Sequence, residues 1–374
     1  MSVNRRVKVL QVQSNYNISE SDLGEQIIKG LPRQEFEVTA AFLKGKPNEN
    51  DLRSCAEHSV CFDFDSSQLK GIRRFFSLYR IYRFCREQQF DVVICHRFKP
   101  THIFLLLNLF LTIRRCISVT HGIGDFDKRY RQREVTRWIR PNWSFVGVSE
   151  SVCDDLVKRC KGLNLHNTCV INNAIDIERA QNIQLERDIA REKLGIPDDA
   201  FVIGTIGRLV PVKGHQYLVE ASGFLADKYP TLRVVIIGGG REEEVLKAQI
   251  RKAGLDNVVI LAGWKDDALQ YVRALDVFAL PSLSEGLPIS LLEAMSGSVP
   301  TIGSNIPSIR PVIEKIGQLC EPESSTSLAS AMEYYLNLSS EELDSTGKKH
   351  LEHLQKFYGI DDYRRHYRSL ISNA

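Results

Sequence analysis

Short apolar runs of strand length alternate with helix-length segments along almost the whole chain, and nothing else in the sequence constrains the fold as tightly. Strands are predicted at residues 6–13, 36–43, 59–64, 91–95, 116–120, 145–148 and 168–171, with helices at 22–31, 71–86 and 101–113. A polar, charged stretch with Gly195 and Pro197 interrupts the pattern at 176–199 and is expected to be a linker. The alternation then restarts, with strands at 201–206, 232–237, 258–261, 276–280, 299–302 and 317–320. Helices are predicted at 214–228, 242–252, 268–273, from 288 onward, and at 325–338, 340–357 and 361–371. Strands that lack polar alternation are buried on both faces, as in parallel sheets covered by helices. The expected class is therefore α/β, with a first domain over 1–180 and a second over 195–357.

The 374 residues are 43% hydrophobic and 25% charged, enough for two domains that each hold a core. No apolar run reaches the roughly 18 residues of a membrane span. The longest, 103–113, contains Asn108 and ends at Arg114-Arg115. The basic start, Met1 to Lys8, leads into a strand and not into a signal-peptide apolar region, so a cytoplasmic location is expected. The nine cysteines show no CxxC spacing, which fits reduced thiols and neither a disulfide framework nor a zinc site. Charge is uneven. Residues 1–180 carry 28 Lys/Arg against 20 Asp/Glu, and residues 181–374 carry 21 against 26. A basic first half suits an anionic partner as well as it suits a solvated surface.

Ligands on parallel sheets bind beyond the carboxyl ends of the strands, so the chemistry is sought at predicted strand ends. Ser282 to Met295 (SLSEGLPISLLEAM) reads as strand end, loop and helix, with Pro288 in the first turn. The helix start offers N–H groups to an anion. Two carboxylates bracket it, Glu285 in the loop and Glu293 about five residues into the helix. They could accept hydrogen bonds from hydroxyls on either side of a phosphate, the shape of a site for a sugar joined through phosphates to a nucleoside. Gly207-Arg208-Leu209 and Lys213-Gly214 follow another strand and present two fixed positive charges. Gly238-Gly239-Gly240 invites a dinucleotide-binding reading, but Glu243 replaces the third glycine, and a tight strand-to-helix turn is the better explanation of the run. Gly263-Trp264 ends a further strand, where Trp264 could touch a base, although a buried Trp is the commoner explanation.

With these motifs the chain resembles the family 4 retaining glycosyltransferases of the GT-B fold. Glu285-x7-Glu293 is the most specific signature, supported by Gly207-Arg208-Leu209 with Lys213-Gly214, by Gly240 and Gly263, and by Asn173-Ala174-Ile175-Asp176. The resemblance is strong over 168–322 and continuous in order before that. It implies two Rossmann-like domains with a cleft between them, the first binding acceptor and the second donor, and a last helix, 358–374, that returns to the first domain. Arg208 and Lys213 would neutralise the donor diphosphate. Glu285 would contact the donor sugar, with Gly286, Leu287 and Pro288 near sugar and phosphate, and Glu293 would hold the ribose. His121, in Val119-Thr120-His121-Gly122, would stand beside the reacting centre. No metal and no cofactor are implied; the donor is a nucleotide sugar, UDP-linked before GDP- or ADP-linked. The expected acceptor is a glycan or glycolipid in bacterial lipopolysaccharide or polysaccharide synthesis at the inner face of the membrane.

The first half departs from the family pattern at residues 14–21, where a glycine-rich loop is replaced by Ser-Asn-Tyr-Asn-Ile-Ser-Glu-Ser. His96, Arg97 and Lys99 end a predicted strand and could bind an anionic acceptor, with Lys128 to Arg133 continuing the basic theme. The helix at 70–86 interleaves Arg73, Arg74, Arg80, Arg83 and Arg86 with Phe75, Phe76, Tyr79, Tyr82 and Phe84. Such a helix either rests on an anionic bilayer or packs its aromatics on the sheet, and the second is the expectation. No nucleic-acid motif accompanies it. The rival readings are a metal-dependent GT-A enzyme using Asp63-x-Asp65 or Asp125-x-Asp127, a nucleotide-sugar epimerase or phosphorylase, a glycosidase, and a non-catalytic nucleotide-sugar binder or membrane scaffold.

Overall fold

A computed structural model describes residues 5–19 and 22–372. The chain divides into two compact units, Met1–Asn173 with Ile360–Ala374, and Ala174–Gly359. The first holds β1 (Val7–Asn15), β2 (Phe36–Lys44), β3 (His58–Cys61), β4 (Val92–His96), β5 (Arg115–Thr120), β6 (Trp143–Gly147) and β7 (Thr168–Val170). These form one parallel sheet in the order β3-β2-β1-β4-β5-β6-β7. The second holds β8 (Phe201–Ile206), β9 (Leu232–Ile237), β10 (Val259–Gly263), β11 (Val277–Leu280), β12 (Thr301–Ser304) and β13 (Gln318–Cys320). Their order is β10-β9-β8-β11-β12-β13, again parallel. In both sheets the order reverses beside the first strand, at β1/β4 and at β8/β11. That reversal opens a crevice outside the carboxyl ends, where such sheets bind ligands.

Burial follows the strand period of two. Val202, Val235, Ile237, Phe278 and Leu280 belong to one apolar cluster of the second unit. Ile203, Val234, Ile236, Val277 and Ala279 belong to the cluster on the opposite face. Both faces are thus dry, which is why these strands read as unbroken apolar runs.

The stretch 176–199 is not a linker. It forms two helices, Ile177–Ile183 and Arg187–Leu194, inside the second unit, which begins at Ala174. Asp176 caps the first helix by accepting from the Arg179 N–H, and Gly195 (φ 67°) ends the second. The polar appearance of the segment hid a buried anchor. Arg191 is 3% exposed and donates to Asp276 at 2.8 Å, while Asp276 also accepts from the Val202 N–H at 2.7 Å. The helix expected at 101–113 runs instead over Phe98–Leu107, and helices at Arg129–Trp138 and Glu150–Arg159 were not foreseen. Ser14 and Asn15 of the glycine-free loop continue β1, and Tyr16 lies on Phe42 with ring centroids 4.6 Å apart. Glu20 and Ser21 of that loop lie outside the described residues. The helix Ile360–Ser372 packs on Leu23–Lys29, with Tyr363 donating to the Leu23 carbonyl at 3.2 Å. None of the nine cysteines forms a disulfide.

Candidate functional site

In the second unit, β11 ends at Leu280 and the chain turns through Ser282 to Leu287 into the helix Ile289–Ser296. Pro288 occupies the N-cap position in extended conformation and Glu293 is the fifth helical residue. β8 ends next door, and a single turn at Pro211–Lys213 carries Lys213 toward the same loop. The Lys213 Nζ donates to Glu285 Oε1 at 2.6 Å, with the two side chains 15% and 12% exposed. Two groups that are 72 positions apart in sequence therefore share one half-buried spot.

Backbone packing creates that meeting. Gly214 sits at φ 67°, and a Cβ there would lie 2.0 Å from the Pro281 carbonyl oxygen. Leu283 N–H donates to the Val212 carbonyl at 2.8 Å, tying the two loops together. The glycine run behaves similarly. A Cβ on Gly238 would lie 1.9 Å from the Gly207 carbonyl oxygen, and Leu209 N–H donates to Gly239 at 3.0 Å. Gly238 and Gly240 thus set the course of the loop carrying Gly207 and the exposed Arg208, a role in backbone packing.

Gly263 closes β10 and accepts from the Gly238 N–H at 2.9 Å. Trp264, for which burial was the commoner explanation, is 66% exposed, its indole N–H donating to Asp266 at 3.2 Å. Gly286, Leu287 and Pro288 are buried. The Glu293 carboxyl is pushed up to about 7, chiefly by burial and then by Asp267, with Arg179 opposing. Gly207, Arg208, Lys213, Gly240, Gly263, Trp264, Glu285 and Glu293 all lie on or just beyond carboxyl strand ends of the second sheet.

Two neighbours escaped the sequence reading. His215 starts the helix after Lys213-Gly214, is 4% exposed, and has no partner at Nδ1. Burial, with Lys213 adding to it, holds it down at about 4, so it is a neutral hydrogen-bonding group. Ser282 is fully buried with an unpartnered hydroxyl. The placement of His215 directly behind a loop lysine was the one available signal.

In the first unit, β4 ends at His96 and β5 at Thr120, bringing His96 Nδ1 to 3.0 Å from His121 Nε2. One nitrogen donates and the other accepts, so the pair holds together with both rings neutral. Burial drives His96 well below its ordinary value, with His121 and Arg97 contributing, and holds His121 at about 4. His96 is only 6% exposed. The side chain expected to meet an anionic acceptor is thus buried, with its Nδ1 directed at His121. Arg97 is exposed at φ 67°, just before the helix Phe98–Leu107, and Lys99 is partly buried. Lys99 is held below the usual range by burial, then by Lys44 and Lys70. Lys128 to Arg133 lead into the helix Arg129–Trp138, where Arg131 lies 4.8 Å from the centre of the Phe98 ring. Among the described residues no three His, Cys, Asp or Glu side chains converge as a metal site.

The helix Arg74–Gln88 packs Tyr82 and Phe84 on the core as expected, but not its other aromatics. Ser77, Ile81 and Cys85 face inward, whereas Phe75, Phe76 and Tyr79 are 60%, 75% and 61% exposed. No helix among the described residues is long and apolar enough to cross a membrane.

Comparison with known proteins agrees with this geometry. Residues 186–351 match the model for glycosyl transferases group 1, and residues 25–179 match that for glycosyltransferase family 4. A UDP-Gal:α-D-GlcNAc-diphosphoundecaprenol α-1,3-galactosyltransferase from Escherichia coli is 25% identical over 319 residues, 82% of this chain and 81% of that one. A lipopolysaccharide core biosynthesis glycosyltransferase from Rhizobium meliloti is 33% identical over 116 residues, 31% of this chain and 33% of its own. The crystal structure of HepE from Anabaena, in complex with UDP, aligns with a TM-score of 0.82 at 18% identity, covering 98% of this chain and 100% of that one. Two parallel α/β units, matching models across both, and relatives of this kind make the chain a member of the family 4 glycosyltransferases with the GT-B fold.

Proposed function

We propose that this glycosyltransferase moves a sugar from a UDP-sugar to a glycan or glycolipid acceptor with retention of anomeric configuration and without a required metal. The observation that carries the reading is the Lys213–Glu285 pair, 2.6 Å apart at the β8/β11 crevice. A cation and a carboxylate held side by side suit a sugar diphosphate. The carboxylate repels the diphosphate and so belongs on sugar hydroxyls, leaving the cation to the phosphates. Arg208 and Lys213 stabilise the departing diphosphate, whose charge grows in the transition state. Glu285 orients the donor sugar and Glu293 accepts from the ribose hydroxyls. Gly207, Gly240, Gly263 and the exposed Trp264 line the nucleotide, and the 286–288 backbone meets sugar and phosphate. His121 is assigned to the reacting centre and is kept neutral by burial and by the nearby Arg97 charge. The leaving diphosphate assists the acceptor hydroxyl on the same face of the sugar.

UDP in the Anabaena neighbour, and UDP-Gal and a lipid diphosphate in the E. coli relative's name, support a UDP-sugar donor and a glycolipid acceptor. A panel of nucleotide sugars screened by thermal shift tests the donor, since bound ligand raises the melting temperature by mass action. UDP-sugars should shift it and GDP- or ADP-sugars should shift it less. Turnover with chelator present and NMR of the product anomer test the remaining terms. Undiminished turnover in Glu285→Ala would remove Glu285 from the site.

A further inference from the structure

The first unit contains a cavity of about 490 Å³ at the carboxyl ends of β1 and β4, in the size range of small-molecule sites. Its walls carry Lys70, Arg74, Arg97, Lys99 and Arg131, against the single carboxylate of Asp125. None of the five cations makes an ion pair with a carboxylate among the described residues. Its floor is apolar, built from Leu78, Ile81, Phe98, Ile103 and Leu106. Five cations against one carboxylate, which lies within the influence of Arg97 and Arg131, leave a positive excess over an apolar floor and favour a ligand that is both anionic and apolar. The helix supplying Arg74, Ser77, Leu78 and Ile81 also turns Phe75, Phe76 and Tyr79 into solvent, next to Ile72 at 79% exposure. An exposed apolar strip beside a cationic pocket fits an amphiphile whose head enters the pocket and whose chain lies along the helix.

We propose that this pocket binds the phosphate-bearing head of a lipid-linked acceptor, with the lipid chain passing over Ile72, Phe75, Phe76 and Tyr79. The assignment rests on the glycosyltransferase reading and specifies its acceptor as a phosphorylated amphiphile. Lys99 fits this role, since its ammonium is partly desolvated with no counter-ion to relieve it, and a phosphate would supply one.

The test is calorimetric titration of the whole protein, with UDP saturating so that phosphates cannot report on the donor side. Farnesyl diphosphate, pyrophosphate and farnesol are the probes. Farnesyl diphosphate should bind about tenfold or more tighter than either fragment. Lys70→Gln with Arg74→Gln should weaken farnesyl diphosphate about tenfold and leave UDP affinity unchanged. Phe76→Ser, at an exposed position that folding tolerates, should weaken farnesyl diphosphate and leave pyrophosphate alone. Equal affinity for pyrophosphate would make the pocket a site for free phosphates and overturn the proposal. Equal affinity for farnesol would overturn it in favour of a plain apolar groove. Absence of lipid binding in a sample that binds UDP overturns the pocket and spares the donor reading. Absence of UDP binding strikes the donor reading, while the farnesyl arms still decide the pocket.

Discussion

Glu285 and Lys213 are single residues whose value depends on each other. They share a hydrogen bond of 2.6 Å, so removing either leaves the other's largely buried charge without its partner. Their effects on turnover should be strongly non-additive. Lys213→Met and Glu285→Gln are each expected to lower kcat/KM by about 10²–10³, and the double variant by far less than the product. Steady-state kinetics of the four proteins measures this. Glu293 offers a second prediction. Its carboxyl titrates at about 7 in the folded protein against an ordinary 4.5. The carboxylate form is the one that accepts from hydroxyls, so UDP affinity should fall as pH drops from 8 to 6, by about tenfold per unit below 7 at most. Glu293→Gln should flatten that profile. An acid with a raised folded pKa binds more protons folded than unfolded between 4.5 and about 7, so its contribution to stability declines as pH rises across that window. Glu293→Gln should therefore raise stability at pH 8 by about 2 kcal/mol while weakening UDP binding, as thermal unfolding would show.

Among the elements, the helix Arg187–Leu194 shows how a charged sequence can be structural. Arg191 donates to Asp276 and to the carbonyl groups of Ala274, Asp198 and Ala200, so every partner of its buried guanidinium is local to the second sheet. Burial lowers its pKa and Asp276 opposes the shift. Such a pair adds little net stability when intact but costs about 3–5 kcal/mol when one partner is lost. Arg191→Ala should lower the thermal midpoint accordingly, whereas the exposed Arg208→Ala should leave it unchanged and abolish turnover. The Gly214 turn is the other sensitive element. Gly214→Ala meets both a positive φ and the Pro281 carbonyl. It should separate the Lys213 and Glu285 loops and weaken UDP binding, which calorimetry would detect.

Across the whole molecule, three described histidines are buried, His96 in the first unit and His215 and His350 in the second, and His121 of the first unit is partly buried; all four are held below their ordinary value, chiefly by desolvation. His350 accepts the Thr301 N–H at Nε2 (3.2 Å) and lies 2.8 Å from the Thr346 carbonyl at Nδ1, an arrangement that requires the neutral ring. Histidines held near 4, below the ordinary 6.5, take up protons on unfolding. Stability should be fully present above pH 6.5 and be lost as pH falls toward 4. His350→Gln should reduce the slope of Tm against pH by about one proton's worth, read by calorimetry. Sequence alone determined the α/β alternation, because apolar runs of strand length admit little but a sheet dry on both faces. It also marked the loops proposed to hold the donor, because SEGLPISLLEAM and the glycines around Arg208 and Lys213 are local patterns. What it could not determine was anything that depends on which strands are neighbours. The adjacency of β8 and β11 joins Lys213 to Glu285 across 72 positions. The adjacency of β4 and β5 joins His96 to His121, which lie 25 positions apart in sequence. Arg191, read as linker charge, became a core residue for the same reason, and Phe75, Phe76 and Tyr79, read as core, became surface. Whether a charge is solvated or paired, and whether an aromatic is covered or exposed, is set by what packs beside it, and packing between distant segments exists only once the sheet order is made.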